Sequence, residues 1–147
     1  MTIISYRNGV MAADSQLSNE TFTLGTVRKI VRTPDGALAG ACGEGNGECE
    51  QFLRWALGNR KRLPPRAIFT GKTACEGMLV RPDGVILYYD CPTPTTITSE
   101  YFSIGVGAQI ATGALWKNGT AEEAVEAAIA HSPACGPPIE VLRLTPR

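Results

Sequence analysis

The sequence has no surplus of either charge, no long apolar run, a single histidine and no Cys-x-x-Cys pair, and each shortage removes a class of function. Its 14 basic residues cancel its 14 acidic ones, so it carries no electrostatic footprint for nucleic acid or an anionic membrane surface. No apolar stretch approaches the roughly 20 residues that span a bilayer. The N-terminus has no charged region followed by an apolar signal core, and the expected location is the cytoplasm, with neither membrane nor nucleic acid as partner. The five cysteines, Cys42, Cys49, Cys75, Cys91 and Cys135, are odd in number and widely spaced, with only His131 as a potential co-ligand. They are expected to be free, partly buried thiols without structural zinc. Gly43, Gly45 and Gly47 lack both the Lys-Ser/Thr ending of a P-loop and the spacing of a dinucleotide fingerprint. No cofactor is expected, and the chain has no internal repeat or low-complexity segment.

What is present suffices for one domain over residues 1–147, since 44% of the residues are hydrophobic and can enclose a core. The chain is organised around its first fourteen residues. Two short apolar runs flank Asn8-Gly9, the strongest local signal for a two-residue hairpin. Met1 precedes the small residue Thr2, which makes it a good substrate for initiator removal. Thr2 would then carry a free α-amine beside its own hydroxyl. An α-amine with a pKa of about 7.7 to 8.0 can take the hydroxyl proton near neutral pH, which makes the pair a self-contained nucleophile and base. Asp14 closes the hairpin and returns toward the N-terminus. Residues 25–31 read as a further strand carrying Lys29. An ammonium there would favour the neutral amine and the developing alkoxide, with Asp14 holding it in place.

Beyond this hairpin, Thr33-Pro34-Asp35-Gly36 suits a tight turn, and the small residues 37–43 suit a strand covered closely on both faces. Residues 48–57 have helical spacing with Gly58 as a stop. The basic, proline-terminated segment 59–66 reads as a solvated loop. Residues 73–80 and 85–90 form a hairpin around Arg81-Pro82-Asp83-Gly84, and 95–98 a short edge strand. Thr120 and Glu123 make a capping box before an apolar stripe of Ala121, Ala124, Val125, Ala128 and Ile129. His131 falls at that helix's C-terminus, where it suits carbonyls better than catalysis. Residues 139–144 alternate as a last strand. Pattern alone gives an α+β class.

Thr-Ile-Ile-Ser, Asn-Gly, Ala-Ala-Asp-Ser-Gln-Leu-Ser and Val-Arg-Lys-Ile-Val-Arg, in that order, resemble the N-terminal half of a proteasome β-type subunit, most nearly the bacterial HslV type. The resemblance implies a four-layer αββα sandwich of the N-terminal nucleophile hydrolases, trimmed by one helix because 59–66 leaves little room for it. It also implies a glycine-rich turn within 101–115 that opens a helix packed between the sheets. Carried over residue by residue, Thr2 would be the nucleophile, Lys29 its electrostatic support, Asp14 the residue orienting Lys29, and the Gly43 amide an oxyanion donor. The family often has a serine that helps hold the amine, and this chain has Val106 there. The implied activity is a threonine peptidase acting on peptides or unfolded proteins. The implied assembly is a homo-oligomeric ring, with a possible ATP-dependent unfoldase as partner. Two alternatives stay open: a non-catalytic ring-forming or interaction subunit on the same scaffold, and a hydrolase of non-peptide amides. In a second register Met1 takes the place of Thr2 and no nucleophile exists.

Overall fold

In the computed structural model, which describes residues 2–145, β1 (Ile3–Arg7) and β2 (Val10–Ala13) are joined by Asn8-Gly9. Both turn residues have positive φ, 49° and 78°, the geometry whose twist matches that of the flanking strands. Arg7 is therefore set opposite Val10 and Ile4 opposite Ala13. On its other side β1 pairs with β10 (Tyr101–Gly105), while β2 pairs with β11 (Glu140–Arg143). This antiparallel sheet runs β10-β1-β2-β11 and carries the opening hairpin at its centre.

A second antiparallel sheet has the order β5-β6-β7-β8-β9, from β5 (Ile30–Arg32), β6 (Leu38–Gly43), β7 (Cys75–Val80), β8 (Ile86–Tyr89) and β9 (Thr95–Ile97). The small residues of β6 are explained by its neighbours. A Cβ on Gly40 would lie 2.8 Å from Ile4 Cδ1, so the bare glycine lets the two sheets approach. Ile4, Met11, Ile30, Leu38, Met78 and Ile86 fill the layer between them. Each such side chain, fully buried, contributes about 1.5–3 kcal/mol.

Helix α1 (Asn46–Leu57) covers the outer face of the second sheet. Its Phe52 is fully buried over Gly77, where a Cβ would meet the ring at 2.2 Å, and it packs against Tyr89 at 5.3 Å between centroids. Helices α2 (Ala108–Trp116) and α3 (Ala121–His131) pack on the outer face of the first sheet, around Ile3, Ala12, Leu115 and Val125. The capping box is formed: the Glu123 amide donates to the Thr120 hydroxyl at 3.0 Å, and the Thr120 amide to the Glu123 carboxylate at 3.0 Å.

Three expectations are corrected. The fold is not the four-layer αββα sandwich lacking one helix that the resemblance implied. Among the described residues it is mostly sheet, with eleven strands in three antiparallel sheets and three α-helices. The third sheet is a separate two-stranded one, β3 (Gln16–Ser18) with β4 (Thr23–Thr26), formed by the polar segment that follows Asp14. After α1 only a short 3-10 turn, Arg66–Phe69, follows Pro64-Pro65, because proline lacks the amide a continuing helix needs.

Second, residues 25–31 are not one strand. The Val27 amide donates to Ser15 O and stays with the small sheet, whereas Lys29 O accepts the Ala41 amide and belongs with β6. The chain changes sheets in between. Third, α2 does not lie between the sheets; the layer there is side chains alone, and α2 sits on the outside against α3.

Candidate functional site

Asp14 follows β2 directly, and the hairpin register brings it back beside the start of β1. Its amide donates to Ile3 O at 3.2 Å, and the Ile3 amide donates to Asp14 Oδ1 at 3.0 Å. The same oxygen accepts from Lys29 Nζ at 2.9 Å, and Oδ2 accepts the Gly136 amide at 3.1 Å. Asp14 and Lys29 are 1% and 6% exposed. A carboxylate so buried is tolerable because an ammonium and two amides satisfy it.

Thr2 is buried next to this centre. Gly105 lets β10 close over it: a Cβ there would stand 2.1 Å from Thr2 O, and its φ of 107° favours glycine. Two clefts meet at Thr2. One is lined by Thr2, Lys29, Ala41, Gly43, Cys49 and Glu50, among others. The other, on the side of Gly105 and Val106, is lined by Thr2, Gly43, Lys72 and Glu76. Gly43 belongs to both. It lies against the neighbouring strand, where a Cβ would be 2.7 Å from Ala74 O.

The structure thus brings together all four expected site residues. Thr2, Lys29 and Gly43 share one cleft, and Asp14 anchors Lys29 from behind it. Met1, on which the choice of register and the free amine depend, lies outside the described residues. Val106 is exposed on the rim of the second cleft. Ser103 is engaged elsewhere, its hydroxyl 2.8 Å from that of Ser5 on the paired strand. His131 is exposed at the end of α3.

Burial governs the thiols around the site. It pushes Cys49 up to about 11 and Cys75 up to about 12, and it drives Cys42 well above the ordinary thiol range, with Glu76 adding to the effect. Among the described residues no group of three His, Cys, Asp or Glu side chains is placed to hold a metal ion. No helix there is long and apolar enough to cross a membrane.

Two features escape the sequence reading. Gly136 reaches Asp14 from a loop 122 residues away, and no local pattern announces such a contact. Glu76 does leave a signal, as the one charge on the inward-facing alternation of β7 that continues through Met78 and Val80.

No family model and no curated protein matches the chain. Among solved structures, it is similar to Thiobacillus denitrificans BPH, with a TM-score of 0.69 and 18% identity over 99% of both chains. The same values hold for Thiobacillus denitrificans BPH in complex with epoxomicin. At that identity the likeness is one of fold.

Proposed function

We propose that the chain is a threonine-type peptidase that uses Thr2 as an N-terminal nucleophile, in the manner of proteasome β-type and HslV subunits. The observation that carries this reading is the buried Lys29–Asp14 pair, tied through the Ile3 amide to the residue next to Thr2. A strand start held this rigidly, with an ammonium in the adjoining cleft, suits a nucleophile that must be preorganised.

With Met1 removed, the Thr2 hydroxyl attacks the peptide carbonyl carbon and gives its proton to its own α-amine. The amine passes that proton to the departing peptide nitrogen, and the C–N bond breaks. Water then hydrolyses the acyl-threonine ester and restores the hydroxyl. Lys29 stabilises the developing negative charge, Asp14 orients Lys29, and the Gly43 amide serves the tetrahedral oxyanion. No cofactor enters the reaction. The neighbour that holds epoxomicin supports a ligand site on this fold and supplies a probe. Peptides or unfolded proteins are the proposed substrates. The proposed assembly is a homo-oligomeric ring served by an ATP-dependent unfoldase, in the cytoplasm.

One observation favours a second reading, a non-catalytic ring-forming or interaction subunit: Val106 puts an apolar side chain where the resembled family has a serine that helps hold the amine. Intact mass after incubation with epoxomicin separates the two. A peptidase lacks Met1 and gains one inhibitor mass, and Thr2→Ala abolishes the gain. A retained Met1 with no adduct overturns the peptidase and leaves the subunit.

A further inference from the structure

Strand β7 turns Cys75 and Leu79 toward α1, and Met78 and Val80 toward the layer between the sheets. By the same alternation Glu76 faces that inner layer, at the end of it that opens beside Thr2. Its carboxylate is fixed from two sides. Oε2 accepts the Tyr88 hydroxyl, and Oε1 lies 3.6 Å from Cys42 Sγ. Tyr88 is itself held by Phe102 of the opposite sheet, with ring centroids 5.4 Å apart.

Both partners are neutral donors, and burial together with Glu76 keeps each of them protonated, since both lie well above their ordinary ranges. Among the described residues Glu76 has no ion pair. A half-buried carboxylate without a cation is costly. A carboxylate offers about four acceptor positions, and Tyr88 and Cys42 take two of them. Glu44 lines the same cleft and adds a second negative charge, while Lys72, also lining it, is exposed.

We propose that the cleft between Gly105, Val106 and Glu76 is a subsite for a basic side chain, lysine or arginine, with Glu76 as its specificity-determining residue. The occupant's ammonium or guanidinium completes the carboxylate's acceptor set, and its alkyl stem lies along Val106 and Ala74. This rests on the peptidase reading for the occupant being part of a polypeptide next to the bond attacked by Thr2. The pocket itself does not need turnover.

Two measurements keep those claims apart. In the first, n-butylguanidinium is titrated into the protein while the backbone amides of Gly43, Gly105 and Val106 are followed by NMR. Saturable shifts in wild type, weakened at least tenfold in Glu76→Gln, support the subsite. Glu76→Gln keeps the shape and an acceptor for Tyr88, so the fold is preserved for the comparison. Absent shifts in wild type, or equal shifts in both proteins, overturn the subsite. In the second, peptides carrying a single lysine within two positions of the cleaved bond are compared with norleucine counterparts. A kcat/KM ratio of at least ten in wild type that falls to about one in Glu76→Gln supports the subsite. Cleavage indifferent to lysine in wild type overturns it while leaving the peptidase. Guanidinium binding without cleavage or a Thr2 adduct upholds the subsite and overturns the peptidase.

Discussion

Lys29 Nζ stands 2.9 Å from Asp14 Oδ1, with side-chain exposures of 6% and 0%. The two members are not equivalent. Asp14 also accepts the Ile3 and Gly136 amides, so removing it takes the carboxylate from a buried ammonium and from two backbone donors at once. Asp14→Ala is expected to cost about 3–5 kcal/mol, read as a drop in the urea midpoint. Lys29→Met leaves the carboxylate with its two amides and is expected to cost less. A Lys29→Met protein less stable than Asp14→Ala would reverse this ranking.

Gly105 couples the strand that closes the site to Thr2. Gly105→Ala places a methyl against Thr2 O and strains a backbone with φ at 107°, so β10 must shift. The expected cost is about 1–3 kcal/mol. On the proposed peptidase reading, epoxomicin labelling should slow in the same protein, followed by intact mass over time. Gly113→Ala serves as the control, because a Cβ there meets nothing within 4 Å, and it should label like wild type.

Loss of the cap on α3 should act on stability alone. Thr120→Ala removes the acceptor for the Glu123 amide and is expected to cost about 1 kcal/mol. Glu123's carboxyl is held below its ordinary range, first by the Thr120 amide. A depressed carboxyl stabilises above its unfolded pKa, and that contribution disappears as pH falls through the folded value. The stability gap between wild type and Glu123→Ala should therefore narrow in acid, below about pH 4. A gap that widens there would contradict the assignment.

The cysteines should divide by exposure. Cys91 is exposed, whereas Cys42, Cys49, Cys75 and Cys135 are buried. At pH 8 a thiol near 11 is ionised to about one part in a thousand, so iodoacetamide should modify Cys91 first in the native protein, as seen by peptide mass. The same shifts set an alkaline limit. Unfolded thiols ionise from about pH 8.5. The folded ones hold their protons to about 11 for Cys49 and about 12 for Cys75. Stability is thus complete below pH 8.5 and falls between there and pH 11 to 12. Cys49→Ala should flatten that fall in urea titrations taken at pH 8, 9.5 and 10.5.

What was legible in the chain was local chemistry. Asn8-Gly9 announced its turn because few dipeptides take positive φ twice, and Thr120 with Glu123 announced a helix start for an equally local reason. Asp14 and Lys29 could be paired once the hairpin was placed. Lys29's own setting is hidden in the sequence, because apolar and basic residues run without interruption from Val27 to Arg32, while the hydrogen bonds of Val27 and Lys29 go to different sheets. The position of α2 was misread for a related reason: its sequence says that one face is buried, not against which sheet. Gly136 was out of reach altogether. Its contribution is a backbone amide, which any residue but proline could supply.

The Gly136 contact spans nearly the whole chain. As a polypeptide leaves the ribosome, Ile3 and Lys29 emerge early, but the last donor to Asp14 arrives only when residue 136 has docked. A nascent or prematurely terminated copy therefore carries an incomplete anchor beneath Thr2.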